Sequence, residues 1–247
     1  MELSQLSSYN IDICFVIDAT GSMSPIIDEV KSRVLSLHQE IINGMQSAHK
    51  PINKLRVKVV DYADFATEGD DAIHQTAFFD LPEETDKLEA AVRGISLETA
   101  PGSGMGKGGD APENGLEALF IAMNSDWTPL SSTQKGRHVI VVLTDAPPLN
   151  LQERDGCIGY EASEYPGDVK ELEALWAEEE SSQGSKMLKI SKAYKRLVLF
   201  TPDGVIDGRS WGEVEQWENT THTAVSAADG LKGVNLDDII AEIVRSV

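Results

Sequence analysis

The stretch FVIDATGSMSP, residues 15–25, runs from apolar residues into an aspartate and then two hydroxyls. Asp18, Thr20 and Ser22 stand at alternate positions, with Gly21 between the last two. A second apolar run, residues 137–144, also ends in a carboxylate, Asp145, followed by Ala-Pro-Pro. Carboxylates and hydroxyls without a neighbouring His or Cys do not suit zinc; they select Mg²⁺, Mn²⁺ or Ca²⁺. Mg²⁺, octahedral and reluctant to lose water, fits two hydroxyls, one or two carboxylates and waters. Neighbouring strands lie about 4.8 Å apart. Two carboxylates that close repel, and a cation between them removes the conflict.

The elements that must hold these residues alternate strand with helix. IDICFVID (11–18) reads as a strand buried on both faces, and SPIIDEVKSRVLSLHQEIINGM as the helix after it. In that helix Ser24 is expected as the N-cap and Pro25 at the first helical position. LRVKVVDYADF (55–65) is a second strand, and DAIHQTAFFD (71–80) its antiparallel hairpin partner. A short helix, EETDKLEAAVRGI, precedes a Gly-rich loop. The helix APENGLEALFIAM follows, with Pro112 and Glu113 in its first turn. RHVIVVLTDAPP is the fourth strand. Residues 149–192 form a long excursion without a strand, carrying the helix DVKELEALWAEEE and a second short helix, KMLKISKAYK. RLVLFTPDG (196–204), the helix SWGEVEQW, the strand THTAVSA and the helix LDDIIAEIVRSV complete the chain.

This alternation predicts one α/β domain over residues 1–247: a doubly wound, mainly parallel six-stranded sheet with helices on both faces. With strand order 3-2-1-4-5-6 and strand 3 antiparallel, strands 1 and 4 meet where the order reverses. Ligands bind there, beyond the carboxyl ends of the strands. Asp18 and Asp145 would then face one crevice.

Composition narrows the partners. Forty-one acids against 21 Lys plus Arg give the 247 residues a net charge of −20. Such a surface repels nucleic acid and anionic membranes, and favours a divalent cation or a basic protein face. Two isolated cysteines, Cys14 and Cys157, make no disulfide framework. The N-terminal residues show neither a basic region nor an apolar core of a signal peptide, and no apolar run approaches a membrane span. A cytoplasmic protein is expected.

DATGSM at 18–23, Gly-Gly-Asp at 108–110 and LTDAPP at 143–148 together resemble the metal-ion-dependent adhesion site of von Willebrand factor type A domains. That family's first motif is Asp-x-Ser-x-Ser, with Thr allowed at the third position. Asp18, Thr20 and Ser22 match it, and the family's strand-4 aspartate maps onto Asp145. The family's loop threonine maps onto Asp110, a departure that leaves two roles open: a metal ligand, or the N-cap of the helix opening at Pro112. The resemblance spans about residues 10 to 246. PENGLEAL, KRLVLFTPD and LTDAPP look like a cytoplasmic bacterial branch, some members of which are encoded near stress-response or signalling proteins. It implies Mg²⁺ at Asp18, Thr20, Ser22, Asp110 and Asp145, and capture of a partner protein's carboxylate. Met23, Lys107, Glu113 and Pro147, in the loops carrying the ligands, are the expected partner rim.

The function expected is therefore a non-enzymatic, Mg²⁺-dependent protein-binding module, an adaptor in a cytoplasmic complex. A phosphohydrolase of haloacid-dehalogenase type also places an aspartate after strand 1. It needs a second acid two residues on, where this chain has Thr20. A scaffold with a purely structural metal, docking through residues 149–192, is the other alternative. Gly104-x-Gly106-x-x-Gly109 matches a dinucleotide fingerprint formally, but no strand leads into it. His38, His49, His74, His138 and His222 are scattered, and Trp176, Trp211 and Trp217 fit helix faces turned to the core. Asp61 and Asp64 lie near the same sheet edge as Asp18 and are read as solvated or loop-ordering, the alternative being support of the metal ligands from behind.

Overall fold

A computed structural model describes residues 8–25, 27–98, 106–108, 112–130, 134–153, 157–177, 190, 192–205 and 208–225. Its centre is β1 (Tyr9–Asp18), in which every residue is buried. Successive side chains of a strand point to opposite faces, and both faces of this one are covered. Ile11, Ile13, Phe15 and Ile17 pack beneath α1 (Ile27–Ser47) and α3 (Thr85–Gly94). Cys14 and Val16 join a second core with α4 (Gly115–Met123) and α5 (Val169–Ala177). Trp176, Trp211 and Trp217 are buried in that second core as expected, but only Trp176 lies in a helix; Trp211 and Trp217 flank the four-residue helix Gly212–Glu215.

β1 pairs in parallel with β2 (Ile52–Tyr62) on one side and β5 (Lys135–Leu143) on the other. Beyond β5 come β6 (Lys195–Pro202) and β7 (Thr220–Val225), also parallel. The path from β3 (Ile73–Gln75) through β2, β1, β5 and β6 to β7 is the expected order, but the described residues carry seven strands. The expected hairpin partner of β2 is two short strands, β3 (Ile73–Gln75) and β4 (Phe79–Leu81), both antiparallel to β2. Thr76, Ala77 and Phe78 separate them, and Thr76 starts the break. The Thr76 backbone N–H donates to Val59 O, while its hydroxyl accepts from Val59 N at 3.0 Å, so a side chain takes a backbone rung.

Two helix starts also differ from expectation. Gly21–Met23 form one 3₁₀ turn, and Ser24 has helical backbone angles (φ −49°, ψ −39°) rather than the extended backbone of an N-cap. Glu113 lies outside α4. Its N–H donates to Pro147 O and its carbonyl accepts from Leu149 N, tying the α4 approach to the loop after β5. The short helices α2 (Phe65–Glu68) and α6 (Gly212–Glu215) lie on connections. Asp64 caps α2, accepting from Ala66 N at 2.7 Å. Within the excursion the helix is Val169–Ala177. The described residues of the helix expected at 186–195, namely 190 and 192–195, are instead a bend, a turn and the start of β6, and the helix expected at 236–247 lies outside the described residues.

At the amino end of the sheet the second core turns ionic. Asp12, 1% exposed, accepts from Arg56 Nε (2.9 Å) and Nη2 (2.6 Å) and from Thr128 N (2.6 Å). His138 Nε2 contacts Thr128 O at 3.0 Å, and Arg56 lies over the Phe78 ring. This network fastens residues 127–128 beneath three neighbouring strands.

Candidate metal centre

The carboxyl ends of β1 and β5 bring the sequence-selected oxygens together. Thr20 Oγ1 lies 2.6 Å from Asp18 Oδ1, Thr20 Oγ1 lies 3.0 Å from Ser22 Oγ, and Ser22 Oγ lies 2.8 Å from Asp145 Oδ1. Four side chains separated by up to 127 positions thus form one row of oxygens. The 3₁₀ turn at Gly21–Met23 makes this possible, because it folds Ser22 back towards Asp145. Asp110 lies outside the described residues.

A proton count characterises the row. With both aspartates ionised, three oxygen–oxygen contacts share the protons of only two hydroxyls. Thr20 gives its proton to Asp18, and Ser22 gives its to Asp145. The 3.0 Å contact between the two hydroxyls then sets lone pair against lone pair. A cation is the group such an array of hard oxygens suits. The donor set therefore fits Mg²⁺. Among the described residues no group of three or more His, Cys, Asp or Glu converges on one point.

Electrostatics agree. Asp18 is fully buried, and burial pushes it up from 3.8 to about 6; donation from Thr144 and Thr20 opposes the rise and the charge of Asp145 adds to it. Burial likewise raises Asp145, opposed by the Ser22 bond. Below them Tyr62 is raised well above the usual phenol range, by burial first and then by the charges of Asp18, Glu113 and Asp145.

The surroundings fix the row. Ala19 N donates to Tyr62 O at 2.8 Å, holding the end of β1 against β2. Gly21 N donates to Lys107 O, and the loop crosses so closely that a Cβ on Gly106 would meet Gly21 Cα at 3.1 Å. Gly108 has φ +71°, and a Cβ there would fall 2.7 Å from Glu113 Oε1 and 2.9 Å from Thr20 Cγ2. The Glu113 carboxylate is thus buried next to Thr20.

The residues expected at the rim are buried: Met23 at 0%, Lys107 at 9% and Glu113 at 4% exposure, with Pro147 buried as well. Their side chains support the site from within rather than edging it. The 3₁₀ turn rotates Met23 into the core beside Ile17 and Ala19, and Ser22 is the residue it leaves exposed. Sequence reasoning missed Thr144, whose hydroxyl donates to Asp18 Oδ2 at 2.6 Å. The signal was present: Thr144 directly precedes Asp145, one place beyond the last paired residue of β5.

No family model matches the chain. Among curated proteins it is similar to the alpha-protein kinase vwkA of Dictyostelium discoideum, with 27% identity over 161 residues, 64% of this chain and 21% of that protein. Among solved structures it is similar to the pilus adhesin SpaC of Lactobacillus rhamnosus GG, with TM-score 0.54 and 12% identity over 97% of this chain and 32% of the adhesin. It is also similar to the vWF domain of the type V pili tip protein Mfa5 of Porphyromonas gingivalis, with TM-score 0.36 and 17% identity over 58% of this chain and 40% of that one. The chain spans about a fifth of the kinase and a third of SpaC. The likeness to SpaC is one of fold: a doubly wound, mostly parallel α/β sheet shared along almost the whole chain.

Proposed function

We propose that the chain is a non-enzymatic, Mg²⁺-dependent protein-binding domain of von Willebrand factor A type, working as an adaptor in a cytoplasmic complex. The observation that carries the reading is the row Asp18–Thr20–Ser22–Asp145, three oxygen contacts with two protons. A bound Mg²⁺ would supply an open coordination position to a partner's carboxylate. Asp18, Asp145 and the two hydroxyls would hold the ion, Thr144 would fix Asp18, and Asp110 would add a third acid. Glu113, buried next to Thr20, adds negative charge to the same pocket. Mn²⁺ or Ca²⁺ could take the same oxygens.

Binding is favoured over catalysis because the described side chains bonded to Asp18 and Asp145 are hydroxyls. Thr20 stands where a phosphohydrolase would need its general acid. The kinase in the relative's name belongs to a protein of which this chain matches 21%. Among the described residues no helix is long and apolar enough to cross a membrane. The free cysteines Cys14 and Cys157 suit a reducing compartment.

The test is affinity capture of host-cell proteins on the immobilised chain, in Mg²⁺ and in EDTA, beside Asp145→Ala. A partner held in Mg²⁺, released by EDTA and absent with the variant supports the reading. Equal retention in all three contradicts it.

A further inference from the structure

The amino end of the sheet, remote from Asp18, carries an open strand flank. β2 is 11 residues long, yet β4 pairs with it only at Leu55, Arg56 and Val57. The ladder stops there because Pro82, next after Leu81, has no N–H to donate. Glu84 then closes a turn on Asp80: Glu84 N donates to Asp80 O at 2.8 Å, and Asp80 N donates to Glu84 Oε2 at 2.9 Å. Among the described residues no strand pairs with the outer flank of Ile52, Asn53 and Lys54. That flank is about 10 Å of strand backbone, bulged at Asn53 because Ile52 and Lys54 pair with the consecutive residues Tyr9 and Asn10, and about 30 Å of strand separates it from the Asp18 end.

It opens on a cavity of about 780 Å³. Ile42 and Gln46 of α1 line one side, Ile52 and Leu55 the strand side, and Leu81 and Pro82 the far wall. Lys54 and Asp80 pair at 3.0 Å, while the rim residue Glu83 is exposed. An open strand edge above an apolar floor suits one kind of ligand: extended backbone, with alternate side chains pointing down.

We propose that this groove is a strand-addition site for an extended segment of a partner protein. The segment pairs its backbone along Ile52–Lys54, places aliphatic side chains at every second position over half-buried Ile42 and Ile52 and exposed Pro82, and carries Lys or Arg opposite Glu83. The net charge of −20 favours the same basic sequence. The chain then has two binding ends, one governed by metal and one not. The inference is independent of the metal reading.

The experiment pans phage-displayed random nonapeptides against the full chain, then synthesises the enriched peptides and measures binding and hydrogen exchange. The expected peptides alternate aliphatic residues, carry a cation, and slow exchange at residues 52–55. They bind equally in Mg²⁺ and EDTA. Exposed Gln46→Trp, which fills the cavity, and Glu83→Lys should each weaken binding at least about tenfold. N-methylation of alternate peptide amides should abolish it. The proposal is overturned if no enriched peptide protects residues 52–55. It is also overturned if the N-methylated peptide binds as well as its parent, or if Gln46→Trp leaves affinity unchanged.

Discussion

Replacing Asp18 by Asn should make the metal-free protein more stable at neutral pH while removing its response to metal. Burial raises Asp18 from 3.8 to about 6. Ionising it inside the fold therefore costs about 3 kcal/mol more than in the unfolded chain. A carboxyl raised by folding stabilises the native state fully below its unfolded value. That contribution is lost as pH rises through about 6. Asn is nearly isosteric and never ionises. Its oxygen can accept from Thr20 N and Oγ1, while its amide can donate to Thr144 Oγ1, which then turns towards Ala146 O. Weakened hydrogen bonds subtract about 1 kcal/mol, leaving a net gain of about 2 kcal/mol. For a chain of this length that is a rise in Tm of about 4–8 °C. Thermal melts in EDTA across about pH 4 to 8 read it directly. Asp18→Asn should exceed wild type at the alkaline end and lose its advantage at the acid end. A variant less stable than wild type at neutral pH, or an advantage independent of pH, refutes the reasoning.

Gly108→Ala puts a methyl into a φ of +71° and against Glu113 Oε1 and Thr20 Cγ2. Urea melts should show a loss of about 1–3 kcal/mol, and metal titration a weaker site. Arg56→Met leaves Asp12 buried without its guanidinium and should cost about 3–5 kcal/mol. The double variant Asp12→Leu/Arg56→Met should recover much of that loss in the same denaturation assay. Asp110→Thr removes one of three acids from the proposed ion. Metal affinity should fall, and acidic-peptide binding should equal or exceed wild type; unchanged metal affinity would leave Asp110 a helix cap.

Much of the site was legible because it is local. Asp18, Thr20 and Ser22 declare themselves by spacing, and the apolar runs before Asp18 and Asp145 mark strand ends that the sheet does bring together. The strand order followed from strand–helix alternation and the rule of right-handed crossovers. What was hidden depends on register. Asp12 and Arg56 each look like an isolated polar residue in a strand; only the pairing of β1 with β2 makes them opposite neighbours. The break between β3 and β4 begins where a threonine hydroxyl accepts from Val59 N in place of a backbone carbonyl, which no periodicity reports. Met23 follows an exposed serine and so looks like rim, but one 3₁₀ turn carries it into the core. Glu113 follows a proline as a first-turn residue would, yet its backbone is spent on Pro147 and Leu149.

The central claim is that the oxygens of Asp18, Thr20, Ser22 and Asp145 hold one divalent cation. Calorimetric titration of the metal-stripped chain with Mg²⁺, beside Asp18→Asn, tests it most directly. The account predicts one saturable site in the wild type, affinity that falls as pH drops below about 6, where Asp18 takes up a proton, and no site in the variant. Mg²⁺ binding of equal affinity in Asp18→Asn, or no saturable binding to the wild type at neutral pH, contradicts it.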